Sequence, residues 1–138
     1  MKKIFSVFMI IALVTGSSCK KTIDNKKKDL LIEAMTNGVW LVDLYTESGV
    51  DITADFAGYE FQFLEDGTVM GTKNSVMTHG TWVGDFNSQT ISSQFPGAPA
   101  PLGKLNGTWK ITDSYLDYVK SEMPVMTGKN VLHLKKKV

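Results

Sequence analysis

The side chains of this 138-residue chain with the widest chemical reach are two histidines, His79 and His133, and a single cysteine, Cys19. Imidazole or thiolate ligation of a metal needs two or more such groups at short spacing. Here the histidines lie far apart and no second cysteine exists, so no metal site is expected. His133 stands between Leu132 and Leu134 and should point to the opposite side of its strand. Asp51, Asp55, Glu60, Glu65 and Asp66 include close pairs, the raw material of general acid–base catalysis. Carboxylates are common at turns, however, and Asp66 precedes Gly67 in a turn dipeptide. Serine and threonine are plentiful, but no Gly-x-Ser-x-Gly elbow or Ser-x-x-Lys motif occurs. Nor does a Gly-x-Gly-x-x-Gly or phosphate loop. The chain therefore reads as a non-enzyme, with no catalytic residues and no cofactor.

Charge narrows the partners. All 15 basic residues are lysines, against 14 acids. With no basic excess, nucleic acid is not an expected partner. The missing arginine removes the rigid fork that best grips carboxylate and phosphate groups.

The first residues, MKKIFSVFMIIALVTGSSC, carry two lysines, an apolar run from Ile4 to Val14 and small residues ending at Cys19. That is the pattern of a secretory signal over residues 1–18, too short to span a bilayer. Cys19 resembles the lipobox cysteine of bacterial lipoproteins, as found in Bacteroidetes-type bacteria, with Gly16 where the usual pattern has Leu. The resemblance implies diacylation of Cys19 and a protein of the cell envelope held to a membrane by lipid. The other reading is ordinary cleavage near Ser18, leaving a free thiol. Residues 19–28, with the run KKTIDNKKK, read as a polar tether. Lys20 and Lys21 directly after the cysteine, in place of the acids associated with surface export, favour the periplasmic face over the cell surface.

The folded domain should cover residues 29–138. Asp29 is placed to cap a short helix over Leu30 to Met35, ended by Asn37-Gly38. After Gly38, β-branched and aromatic segments alternate with turn signals at the spacing of an all-β protein. Eight strands are expected: 39–45, 59–64, 68–73, 78–85, 90–94, 108–112, 115–120 and 130–136. Tyr59, Phe61 and Phe63 alternate with Glu60 and Gln62, and Asp66-Gly67 suits a tight two-residue hairpin. Further turns are expected at Asn87-Ser88, Asp113-Ser114 and Gly128-Lys129. The connections 48–58 and 93–107 are long. The second holds three of the four prolines and reads either as a lid over a barrel mouth or as a segment packed outside it, with a helical turn at Leu102 to Leu105.

Three Gly-x-Trp copies, NGVW at 37–40, HGTW at 79–82 and NGTW at 106–109, contain every tryptophan. Their spacings of 42 and 27 residues are unequal, whereas a tandem repeat keeps a fixed period. They mark strand starts, where glycine permits close backbone approach and a wide side chain then turns inward. Each indole can bury about 150–250 Å².

The order NGVW, SGVDITADFAGYEFQFLEDGTV, HGTWVGD, KLNGTWKI and VLHLKKK resembles the lipocalin-like domain of Bacteroidetes-type lipoproteins. The resemblance implies an up-and-down antiparallel barrel of about eight strands with a pocket at one end. In lipocalins a Gly-x-Trp follows a short helix and closes the barrel, the place held here by Gly38-Val39-Trp40. The Thr-Asp-Tyr motif and the late arginine of true lipocalins are absent, which makes the kinship distant.

Small residues such as Gly71, Thr78, Gly84 and Ser93 leave room inside, while aromatic mass gathers elsewhere. An eight-stranded barrel is just wide enough for one small ligand. The expected function is a lipid-anchored barrel binding a small hydrophobic or amphipathic ligand, with Trp40, Phe61, Phe63, Trp82 and Trp109 as pocket floor or core and Phe95 and Leu102 as rim. The alternative is a filled barrel, closed by Met70, Met77, Met123 and Met126, that docks an envelope protein or glycan through an apolar patch at Phe95 to Leu102.

Overall fold

In the computed structural model the described residues are 26–138; the expected signal segment, Cys19 and residues 20–25 of the expected tether lie outside them. A helix, α1, covers residues 26–36. Lys26–Lys28, expected in the tether, are thus helical, and Asp29 lies within the helix where a cap was expected. Unbranched lysines lose little rotamer freedom in a helix. The helix also gains a seat, because Leu31 and Met35, one turn apart, share one face: Met35 is buried and Leu31 packs against the core. The last turn closes through Thr36 Oγ1 to the Ile32 carbonyl and Asn37 N–H to the Glu33 carbonyl, and Gly38 then reverses the chain at φ +84°.

The strands are β1 (Trp40–Glu47), β2 (Val50–Asp51), β3 (Glu60–Phe63), β4 (Thr68–Lys73), β5 (Val76–Asp85), β6 (Thr90–Gln94), β7 (Gly107–Tyr115), β8 (Tyr118–Val125) and β9 (Gly128–Lys136). Each pairs antiparallel with its neighbour in chain order from β3 to β9, and β1 pairs with both β3 and β9. Leaving aside the two-residue β2, which only folds back on the end of β1, the result is a closed barrel of eight strands, the architecture expected from the sequence. Closure leaves no long free sheet edge. The β1–β3 seam is the weakest join, with register at Trp40 opposite Phe61. Beyond it the Tyr45 N–H turns to Thr53 Oγ1 and the Ile52 N–H to the Tyr45 carbonyl.

Three turns differ from expectation. Between β3 and β4 the loop takes four residues, Leu64 to Gly67; only Gly67 has positive φ (+90°), and the Asp66 carboxylate instead accepts the Thr68 N–H at 2.9 Å. The two-residue, doubly positive turn lies one hairpin later, at Asn74-Ser75 (φ 52° and 64°), as type I′ geometry demands. Between β7 and β8 the strands run past Asp113-Ser114 and turn at Leu116-Asp117, since an irregularity between Ile111 and Asp113 lets Tyr115 still face Tyr118. Likewise β8 continues to Val125 and turns at Met126-Thr127, ahead of Gly128-Lys129.

Inside, each indole N–H holds a non-strand segment: Trp40 Nε1 donates to Met35 O at 2.9 Å, Trp82 Nε1 to Leu64 O at 2.8 Å, and Trp109 Nε1 to Leu105 O at 3.0 Å. The Gly-x-Trp copies therefore staple α1, the β3–β4 loop and the β6–β7 loop to the barrel. The indole donors are satisfied, as burial requires.

Candidate functional site

The barrel interior is filled. Small inward residues, which from sequence promised space, form the sockets into which larger side chains fit. A Cβ placed at Gly71 would lie 3.1 Å from the Phe61 ring and 3.2 Å from Leu102; one at Gly84 would lie 3.1 Å from Trp82 and 3.7 Å from Leu31. At Gly80 it would meet Phe95 at 2.8 Å and clash with the Gln94 carbonyl. Residues 95–106 fold inward across the end of the barrel away from α1. Phe95 is 1% exposed and Leu102 3%, so neither forms a rim or an exposed patch. The expected helical turn is present as a 3₁₀ turn over Leu102–Leu105. It is pinned by Tyr45 Oη donating to Lys104 O at 2.6 Å and Ser93 Oγ donating to Leu105 O at 2.5 Å. Phe56 stacks on Tyr45 at 5.1 Å, and the Trp109 edge meets the same tyrosine at 5.7 Å. These aromatic plugs close most of the space; of the methionines expected to fill it, Met77 and Met126 are exposed while Met123 packs against the core.

What remains inside is a cavity of about 40 Å³, bordered by Phe61, Phe63, Phe95 and Trp109 among others. Its polar neighbours are already engaged, Ser93 as above and Ser121 Oγ with Leu132 O at 2.8 Å. A single water needs about 10–15 Å³ of such volume, so this space has room for a few waters and is far short of an acyl chain.

A larger, mostly apolar space lies at the α1 end. Between the helix and the barrel is a groove of about 440 Å³, a size in the range of small-molecule sites. The helix contributes Lys27, Leu30, Leu31, Ala34 and Met35; Trp40 borders it from β1. Phe86 and Gln89 come from the β5–β6 turn, and Ile111 to Val119, by way of Tyr115 and Leu116, from the β7–β8 hairpin. Gln89, Thr112, Asp113 and Ser114 are the neutral and acidic polar residues of its lining, and further polar contacts lie nearby. Lys27 Nζ lies 5.9 Å from the Phe86 ring centre, Tyr118 Oη donates to Asp113 Oδ2 at 3.2 Å, and Lys110 Nζ donates to Ser88 O at 2.8 Å. Desolvation, the hydrogen bond to Asp113 and the charges of Asp113 and Asp117 hold the Tyr118 phenol above its ordinary pKa. Asp85 is held below the usual carboxylate range by the Ser88 backbone N–H.

Of the residues expected to meet a ligand, only Trp40 borders this groove. Phe61, Phe63, Phe95 and Trp109 line the small inner cavity, and Trp82 and Leu102 border neither space. The reading missed Leu30, Phe86, Ile111, Tyr115 and Leu116. A turn placed three residues too early hid the apolar tip of the β7–β8 hairpin.

The two histidines lie on different strands, β9 and β5. His133 lies on β9 between the buried Leu132 and Leu134, facing outward as expected, and desolvation and the neighbouring Lys120 hold its pKa below the ordinary value. His79 is exposed in the middle of β5, opposite Met70, and not at a strand start. Among the described residues no three His, Cys, Asp or Glu side chains gather as a metal site.

No family model matches the chain, and no curated protein matches it. Among solved structures it is similar to a crystal structure of a DUF4847 family protein from Bacteroides vulgatus, with a TM-score of 0.55 and 15% identity. The match spans 78% of this chain and 99% of that one. At that identity the likeness is one of fold alone.

Proposed function

We propose that this is a lipid-anchored, non-enzymatic protein of the bacterial envelope, lipocalin-like in design, that binds a small hydrophobic or amphipathic molecule in the groove between α1 and the barrel end. The observation carrying this reading is the contrast between the two spaces: about 40 Å³ inside the barrel, and about 440 Å³ of mostly apolar groove beside the helix. Apolar walls drive uptake by removing hydrocarbon from water, and the polar lining residues offer orientation to a head group. The lipocalin-like element of the reading rests on the helix preceding Gly38-Val39-Trp40 and on the Trp40 indole bound to the end of that helix. The anchor rests on Cys19 in its lipobox-like setting.

The test is titration with a fluorescent fatty acid, comparing the native chain with Ala34→Trp, which fills the groove from the helix without entering the core. Saturable binding that Ala34→Trp reduces at least tenfold supports the proposal; equal binding by both moves the ligand elsewhere, and no binding by either removes it.

The filled interior also favours a second reading, a module docking an envelope protein or glycan through its loops. Val50, Val76 and Met77, on strand ends beside the turns, and Met126, in a turn, are exposed at the end away from α1. Met77→Lys with Met126→Lys should then abolish capture of a partner without altering groove binding; unchanged capture counts against it.

A further inference from the structure

Three large side chains at the α1 end are exposed although they border one groove: Leu30 (51%), Tyr115 (69%) and Leu116 (59%). Two of them form the tip of the β7–β8 hairpin, and the third projects from α1. Lys26, Lys27 and Lys28 stand on the first described turn of the same helix, all exposed. We infer that this end of the barrel is a membrane-docking face, with Leu30, Tyr115 and Leu116 seated in the lipid interface and Lys26–Lys28 on anionic head groups. The inference rests on the lipid-anchor reading of Cys19 and does not require that the groove bind a ligand.

The occupant follows from chain geometry and chemistry. Cys19 precedes Lys26 by seven residues, a span of at most about 25 Å fully extended at ~3.3–3.6 Å per residue. An acylated Cys19 therefore holds the start of α1 within about 25 Å of the bilayer, and the apolar and basic side chains gathered at that end select it as the face that docks. A tyrosine beside a leucine at a hairpin tip suits the interface, where an aromatic body enters the acyl boundary and its hydroxyl stays at head-group level. Lysines in a row beside a membrane attract anionic lipid. Asp29, Asp113 and Asp117 lie at the same end, so the face is amphipathic and its apolar tip, more than net charge, must supply the contact. The opposite end, with Met126, then stands away from lipid by roughly 20 Å, the length of an eight-residue strand at ~3.3 Å per residue and a tilt of ~35–45°.

The experiment places a tryptophan at each end of the full chain, Leu116→Trp or Met126→Trp. Each protein, extracted with its native N-terminus from the expressing bacterium's membranes, is reconstituted in vesicles of dioleoylphosphatidylcholine and dioleoylphosphatidylglycerol with or without bromine on the acyl chains. Vesicle flotation and the mass of the N-terminal peptide report the anchor separately. The docked end predicts at least threefold stronger bromine quenching at Leu116→Trp than at Met126→Trp, after subtraction of the native tryptophans. It also predicts that Lys26→Gln, Lys27→Gln and Lys28→Gln together weaken that quenching. Equal quenching at both ends in floating, acylated protein overturns the docked face while leaving the anchor standing. A chain that does not float, or carries no acyl group, overturns both.

Discussion

The Phe95 ring lies against the Cα of Gly80 so closely that a single methyl group there would come within 2.8 Å of it. Phe95 belongs to the β6–β7 loop and Gly80 to the middle of β5, so one glycine decides whether that loop can enter the barrel. Gly80→Ala forces both the ring and the Gln94 carbonyl to give way. Overpacking of this kind costs about 1–3 kcal/mol, and the backbone partner leaves little freedom to relax. Thermal denaturation followed by circular dichroism should show a lowered midpoint. An unchanged midpoint would mean that the loop is not seated in its socket.

Removing the plug should do what the native barrel does not. Phe95→Ala is expected to destabilise the protein by about 3–5 kcal/mol, the usual range for deleting a buried aromatic ring. It also enlarges the inner cavity that Phe95 borders. A variant that stays folded should therefore bind benzene or xenon, while the native protein does not. Uptake of either by the native protein would contradict the filled interior.

Trp40 joins the helix to the barrel through one polar contact. Its indole N–H satisfies the Met35 carbonyl near the end of α1, one of the acceptors a helix leaves without an internal partner. Trp40→Phe retains an aromatic ring but leaves that buried carbonyl unpaired, at a cost of about 1–3 kcal/mol. The effect should be local as well as global. Amide hydrogen exchange in residues 30–37 should accelerate more than in β8 and β9, and uniform acceleration would argue that the indole does not staple the helix.

Stability should have a plateau with two shoulders. At the alkaline side Tyr45, fully buried, has its pKa pushed up to about 12 from 10.0, first by desolvation and then by the charge of Glu47. Because the folded pKa lies above the unfolded one, the stability contributed by the neutral phenol is complete below about pH 10 and is lost as pH rises towards 12. Tyr118 shifts in the same direction. At the other side, the depressed pKa of His133 means that stability is present above its unfolded value of 6.5 and declines as pH falls through the folded one. Asp51, Asp66 and Asp85, each held below 3.8 by hydrogen bonds to their turns, add a further loss in stronger acid. Denaturant midpoints measured across pH should be flat from about 7 to 9. Tyr45→Phe should blunt the alkaline fall, and a fall of unchanged steepness would exclude Tyr45 as its source.

The chain order of the strands was readable because strand signals are local. Tyr59, Phe61 and Phe63 alternate with polar neighbours, and Gly38, Gly67 and the Asn87-Ser88 turn interrupt the pattern where the chain reverses. The three tryptophans were readable as structural wedges for the same reason, since a glycine two residues before a wide ring describes a close approach wherever it occurs. Turn positions at Leu116-Asp117 and Met126-Thr127 were not, because cross-strand pairing of Tyr115 with Tyr118 and Val125 with Gly128 carries the strands past nearer turn-forming residues.

By itself, then, the sequence determined eight strand segments preceded by a helix, because periodicity and turn chemistry belong to neighbouring residues; their closure into a barrel was what the resemblance to the lipocalin-like domain implied. Only the tertiary structure decided where space remains. Gly71, Gly80 and Gly84 look like emptiness along the strand, yet each receives a side chain from elsewhere in the chain, Leu102, Phe95 and Leu31 respectively. Whether a small residue makes a cavity or a socket depends on which distant side chain reaches it, and packing across the barrel settles that.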